Sequence, residues 1–186
     1  MAKVFRAAEM MSEDVQSYVI SCQYQEGSKD APIADGSFVK LGELKDDKTY
    51  VASGDKDYNV YLASAPTAVT DEVVVIDYPG VSEGSISGNS YRIGVKLFDL
   101  MAPAGRPVRA RRLALHDRFW LGEGNFNGSV TVGNIAGLEA NKTTLKDSGS
   151  KEITEGQLNV KIHLGKDFNY GQSASGKLYL CEVVGL

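Results

Sequence analysis

The chain has 186 residues, 42% of them hydrophobic and 24% charged, with a formal net charge of −4. Such a composition excludes a disordered chain, and the length suffices to bury a core without metal or disulfide staples. A mildly acidic balance argues against general nucleic-acid binding, which needs a concentrated basic surface. No run approaches the roughly 18 apolar residues of a membrane helix.

The N-terminal stretch MAKVFRAAEMMSEDVQ is interrupted by Arg6, Glu9, Glu13 and Asp14, so it lacks the apolar core of a signal peptide. Within it, Ala7–Gln16 has the length for two or three helical turns but no clean apolar stripe. Residues 1–16 are expected to form an arm that orders on docking, and residues 17–186 a β-rich domain with a subdomain joint near 102–105. Short strand-like runs follow at Tyr18–Tyr24, Ser37–Leu41, Tyr58–Ala63 and Glu72–Asp77. Asp35-Gly36 supplies a turn that tolerates positive φ, and Pro79-Gly80 ends the run at Asp77.

Val95–Met101 has the pattern of one or two helical turns stopped by Pro103. Further strands are expected at Pro107–Leu115, Arg118–Leu121, Ser129–Val132, Leu158–Leu164 and Leu178–Val184, with Asn127-Gly128 as a turn and His116-Asp117 as another. In Leu158–Leu164, alternation places Leu158, Val160, Ile162 and Leu164 on one face and Asn159, Lys161 and His163 on the other. Stretches 27–36, 82–90 and 141–156 are expected to be exposed loops. The expected fold is all-β, a β-barrel or β-sandwich with short helical segments and long loops, and helix below about a fifth of the residues against an average near a third.

Chemistry-bearing patterns are sparse. His116 and His163 have no cysteine near them in sequence, and no nucleophile motif accompanies either. Gly84–Gly88 and Gly171–Gly176 miss the G-x-S-x-G spacing, and Gly122-Glu123-Gly124 leads into a strand rather than a helix that would hold phosphate. Asp55–Asn59 begins like a calcium loop but has Val60 and Pro66 where glycine and glutamate are required, and Asp46-Asp47 is a solvated turn. No metal, cofactor or catalytic group is expected. Cys22 and Cys181 lie in apolar runs and are expected to be unpaired. Without a secretory context, the N-x-S/T triplets at Asn127 and Asn141 carry no weight.

Five of the seven arginines fall between 106 and 118. In an extended strand Arg109 and Arg111 point to one side. Arg106, Arg109, Arg111 and Arg112 are therefore the candidate partner-binding residues, either as a contact stripe for an acidic protein surface or as charge protecting a sheet edge. Tyr58, Tyr61 and Trp120 are candidates for a sugar-binding face.

Four segments carry a resemblance in order: IADGSFVKLGEL (33–44), YLASAPTAVTDEVVVID (61–77), KLFDLMAPAGRPVRARRLALHDRFWL (96–121) and KLYLCEVV (177–184). An ADG turn leads into a strand, a Thr- and Val-rich strand follows, then an Arg-rich strand after Gly-x-Pro, and an apolar strand closes the chain. This resembles head decoration or minor capsid proteins encoded beside the major capsid gene in tailed bacteriophages. The resemblance implies a structural protein assembled in the host cytoplasm and carried in the virion, with the major capsid protein as partner and a homo-oligomer as a further expectation. Neither nucleic acid nor membrane is expected as a partner. The alternatives are a carbohydrate-binding module for host adhesion and, third, an enzyme on an unfamiliar barrel.

Overall fold

The computed structural model describes residues 3–45, 60–78, 101–170 and 174–186. The expectations for Asp46-Asp47, Asp55–Asn59, Tyr58, Pro79-Gly80, the loop 82–90 and the helical turns over 95–100 lie outside these residues. The strands in chain order are β1 (Phe5–Glu9), β2 (Val19–Glu26), β3 (Lys29–Asp30), β4 (Ile33–Ala34), β5 (Phe38–Leu44), β6 (Val60–Ser64) and β7 (Val73–Ile76). They continue as β8 (Met101–Ala102), β9 (Val108–Arg112), β10 (Arg118–Gly122), β11 (Ile135–Leu138), β12 (Leu145–Asp147), β13 (Asn159–Tyr170) and β14 (Ala174–Gly185). A four-residue helix, α1 (Met11–Asp14), is the α-helical element among the described residues. The protein is predominantly β, as its short alternating runs require.

Five strands close into a barrel. β2 pairs with β6 in parallel and with β9 antiparallel, while β5 joins β6 to β7 and β7 joins β9. Closure removes the sheet edges that would otherwise template aggregation. Alternation then sends Cys22, Tyr24, Val39, Ala63, Val74, Ile76, Val108 and Ala110 inside, where Ile33 of β4 and Ala102 of β8 join them.

While β3 pairs with β2 and β4 with β8, six further strands form an antiparallel sheet in the order β1-β10-β14-β13-β11-β12. Its inner face carries Phe5, Phe119, Leu121, Val160, Ile162, Tyr179, Cys181 and Val183, which pack on Phe38, Val73 and Val75 of the outer barrel wall. The Phe119 ring lies 5.6 Å from Phe5 and 6.4 Å from Phe38, centroid to centroid. Strand β7 is therefore covered on both faces, which is why Val73–Ile76 is a continuous apolar run and not an alternating one.

Several expectations are corrected. Residues 5–14 are built into the fold: Phe5 and Met10 are buried, β1 pairs with β10, and the Met11 N–H donates to Asp117 Oδ1 at 2.8 Å. Of the helix expected over Ala7–Gln16, the turn α1 (Met11–Asp14) forms, while Ala7–Glu9 belong to β1, whose Phe5 and Ala7 face the core from alternate positions. The two units also do not part near 102–105. β9 lies beyond that point yet completes the barrel, and β1 lies before it yet belongs to the sheet.

Ser129–Val132 is not a strand. Thr131 N donates to Asp147 Oδ2 at 2.8 Å and Gly133 takes φ +95°, so the chain turns before β11 begins. Within the stretch expected as loop, Leu145–Asp147 forms β12. Met101, expected to end a helix, lies in β8.

The Asp35-Gly36 turn is held by a buried Asn125. Gly36 has φ +68°, and a Cβ there would meet Asn125 Nδ2 at 2.6 Å, so glycine is required on two counts. Asn125 Oδ1 accepts from Val4 N and Gly122 N, and its Nδ2 donates to the Asp35 carbonyl. One amide thus ties the N-terminal strand, the end of β10 and the barrel turn together.

Two outcomes follow from this packing. Phe119→Ala should cost about 3–5 kcal/mol, read as a lower urea midpoint at unchanged slope. Cys22 and Cys181 are free and fully buried in different layers, with burial pushing the Cys22 thiol up to about 12 and raising that of Cys181. An aromatic disulfide reagent should therefore count two thiols in denaturant and react with neither in the folded protein.

Candidate binding surface

Arg109 and Arg111 share a side of β9, as alternation requires, and that side faces Asp77. Arg109 Nη2 lies 2.8 Å and Arg111 Nε 2.6 Å from Asp77 Oδ2, and Arg111 Nη1 donates to Ser12 Oγ at 3.1 Å. The Arg111 side chain is only 12% exposed, against 46% for Arg109. Arg111 is thus a structural residue that neutralises a buried carboxylate, which removes it from the expected contact stripe.

Arg112 turns to the opposite side and pairs with the exposed Glu72 at 3.0 Å. Arg106 is exposed in the turn after Pro103 and forms no ion pair among the described residues. The four candidate arginines therefore do not form one surface. Tyr61 pairs with Cys22 on the barrel and Trp120 lies in the other sheet, so they do not build a common aromatic platform.

The outward face of the antiparallel sheet does bring chemistry together. Register sets Arg6, Trp120, Leu180 and Leu164 side by side across β1, β10, β14 and β13. The next row is Glu9, Arg118, Glu182 and Lys161. Residues opposite one another in adjacent strands share a face, so both rows point away from the core. The Lys166 ammonium lies 4.1 Å from the Trp120 ring centroid.

Leu164 reaches this face because β13 bulges between Ile162 and Leu164. Strict alternation would bury Leu164 with Ile162, as expected from sequence. The bulge shifts the phase, leaving Leu164 41% exposed and placing it with Lys161 and Lys166. Past the bulge, Gly165 faces Tyr179, where a Cβ would meet the ring at 2.9 Å.

Glu182 is the hub of the charged row. Its Oε1 lies 3.1 Å from His116 Nδ1, and its Oε2 lies 2.6 Å from His163 Nε2 and 3.6 Å from Arg118 Nε. Arg118 Nη1 in turn pairs with Glu9 at 3.0 Å. The His116 hydrogen bond, with those of His163 and the Arg118 charge, holds the Glu182 carboxyl below its usual range. Both histidines of the chain thus converge on one carboxylate although they are 47 positions apart in the sequence. His116 has φ +71°, an uncommon backbone state for a non-glycine residue. No group of three His, Cys, Asp or Glu side chains with metal-holding geometry occurs among the described residues.

Asp35, at the turn beneath β1, accepts from Phe5 N at 2.8 Å and Tyr78 N at 3.0 Å. Burial pushes its carboxyl up to about 7 despite these donors, and the nearby Asp77 charge adds to the rise.

Comparison of the chain with protein families, curated proteins and solved structures finds no match. The sequence signal for the outer face was present in Arg118–Gly122, where Arg118 and Trp120 alternate with Phe119 and Leu121. Sequence offers Trp120 only as part of a sugar-binding face, because the pairing that sets Arg6, Leu180 and Leu164 beside it is long-range.

Arg111→Ala should cost about 2 kcal/mol, because it strips a charged hydrogen-bond partner from the buried Asp77. Arg109→Ala should cost below about 1 kcal/mol, as for other exposed pairs. Urea unfolding of the two variants separates them, and equal costs would refute the assignment. For Asp35, a folded-state value above the unfolded carboxylate value near 4 means that the folded protein binds more protons between about 4 and 7. Its contribution to stability is complete below that window and is lost as pH rises through 7. Stability measured from pH 5 to 7.5 should therefore fall more steeply in the wild type than in Asp35→Asn.

Proposed function

We propose that the protein is a structural binding protein that attaches to an assembled phage capsid shell, as a decoration or stabilising protein, through the outward face of its antiparallel sheet. The observation that carries the docking part of this reading is the row Trp120–Leu180–Leu164, apolar side chains set on an outward sheet face and bordered by charged ones. A rim of charge around an apolar centre is the arrangement that excludes water at a protein–protein contact. The capsid as partner rests on the resemblance of residues 33–184 to phage head proteins.

Attachment to a shell needs no tight single site. Many copies of a modest interface, repeated by the symmetry of the shell, hold by number. The outer sheet face is favoured over the 106–112 arginines as the docking surface because Arg109 and Arg111 are engaged with Asp77.

Purified virions analysed by quantitative mass spectrometry should contain this chain at a defined copy number relative to the major capsid protein. Recombinant protein should co-sediment with capsids, and Leu164→Asp should lower the bound fraction about tenfold while the melting temperature changes little, since the residue is exposed. Absence from virions, or undiminished co-sedimentation of the variant, would overturn the reading.

A further inference from the structure

We infer that the outer sheet face is built to take an acidic protein surface, one that presents carboxylates on either side of an apolar side chain. The inference deepens the docking reading above and rests on it. Apart from Arg6, which has an interaction of its own, the two register rows and Lys166 carry Arg118, Lys161 and Lys166 against Glu9 and Glu182. Positive charge thus prevails locally on a chain whose net charge is −4.

The charges are also unequally engaged. Glu9 and Glu182 share the Arg118 guanidinium, and Glu182 is also hydrogen-bonded to both histidines, so both carboxylates are engaged within the face. Lys161 and Lys166 are exposed and have no carboxylate partner among the described residues. The β13 bulge puts these two lysines on the same face with Leu164 between them in the strand, their backbones roughly 13 Å apart. An unbulged strand would have sent Lys166 to the opposite side from Lys161.

Nucleic acid fits this face less well. Glu182 lies within the charged row and Glu9 at its β1 end, and both would confront a phosphate backbone, while the Trp120 ring is already in contact with Lys166. A second copy docking by the same face would offer Lys161 and Lys166 only carboxylates already engaged with Arg118.

The test uses the full chain and three probes at low salt: poly-L-glutamate, a short DNA duplex and the protein itself. Wild type should bind poly-L-glutamate more tightly than duplex, and remain monomeric in sedimentation equilibrium. Lys161→Glu with Lys166→Glu should weaken poly-L-glutamate binding at least about tenfold with little change in melting temperature. Lys29→Glu with Lys142→Glu changes the net charge equally away from this face and should stay within about twofold of wild type. Equal loss in both double variants would show a response to net charge alone and overturn the proposal. Tighter binding of the duplex would assign the face to nucleic acid, and self-association abolished by the Lys161/Lys166 variant would assign it to a second copy. Absence of the chain from virions would remove the capsid as partner while leaving these binding outcomes unchanged.

Discussion

The aromatic contact between Phe38 on the barrel wall and Phe119 on the sheet is the constraint on which the rest depends. It fixes which face of the sheet is inner, because β10 alternates and Phe119 can face the barrel only if Arg118 and Trp120 face away. Neighbouring strands inherit that choice through their register, so one buried ring determines an entire outward surface. Apolar burial of this kind supplies most of the stabilisation, since each large side chain removed from water contributes about 1.5–3 kcal/mol.

Polar residues then decide the details that apolar packing leaves loose. Asn125, Asp35 and Asp117 each accept backbone N–H groups near the N-terminal segment, so β1 and α1 are fastened by hydrogen bonds as well as by Phe5 and Met10. The Asp77 carboxylate, in a buried place, pairs with two guanidinium groups from β9. These groups tie the barrel and β10 to the N-terminal segment, beside the apolar layer that the barrel wall and the sheet share.

The bulge in β13 links architecture to surface chemistry. A single extra residue between Ile162 and Leu164 moves an apolar side chain from the core to the exterior and aligns Lys161, Leu164 and Lys166 on one face. His163, at that irregularity, is brought to Glu182, where His116 arrives from the turn before β10. Sequence-distant residues thereby become one charged cluster beside an apolar row.

The sequence by itself determined the all-β class, because period-two alternation and turn residues are local properties. Val19–Glu26, Phe38–Leu44 and Val108–Arg112 are strands close to where the pattern put them, and Asp35-Gly36 is the turn its dipeptide demands. It also determined that Arg109 and Arg111 share a side. Only the tertiary structure decided what they face, because Asp77 reaches them through the β7–β9 pairing, over a separation in sequence that alternation does not encode. The same holds for β1, whose Phe5–Glu9 run shows no strand pattern of its own until β10 supplies its partner, and for Leu164, whose exposure follows from a bulge set by pairing with β14. Local pattern fixes which side chains share a face; long-range pairing alone fixes what that face meets.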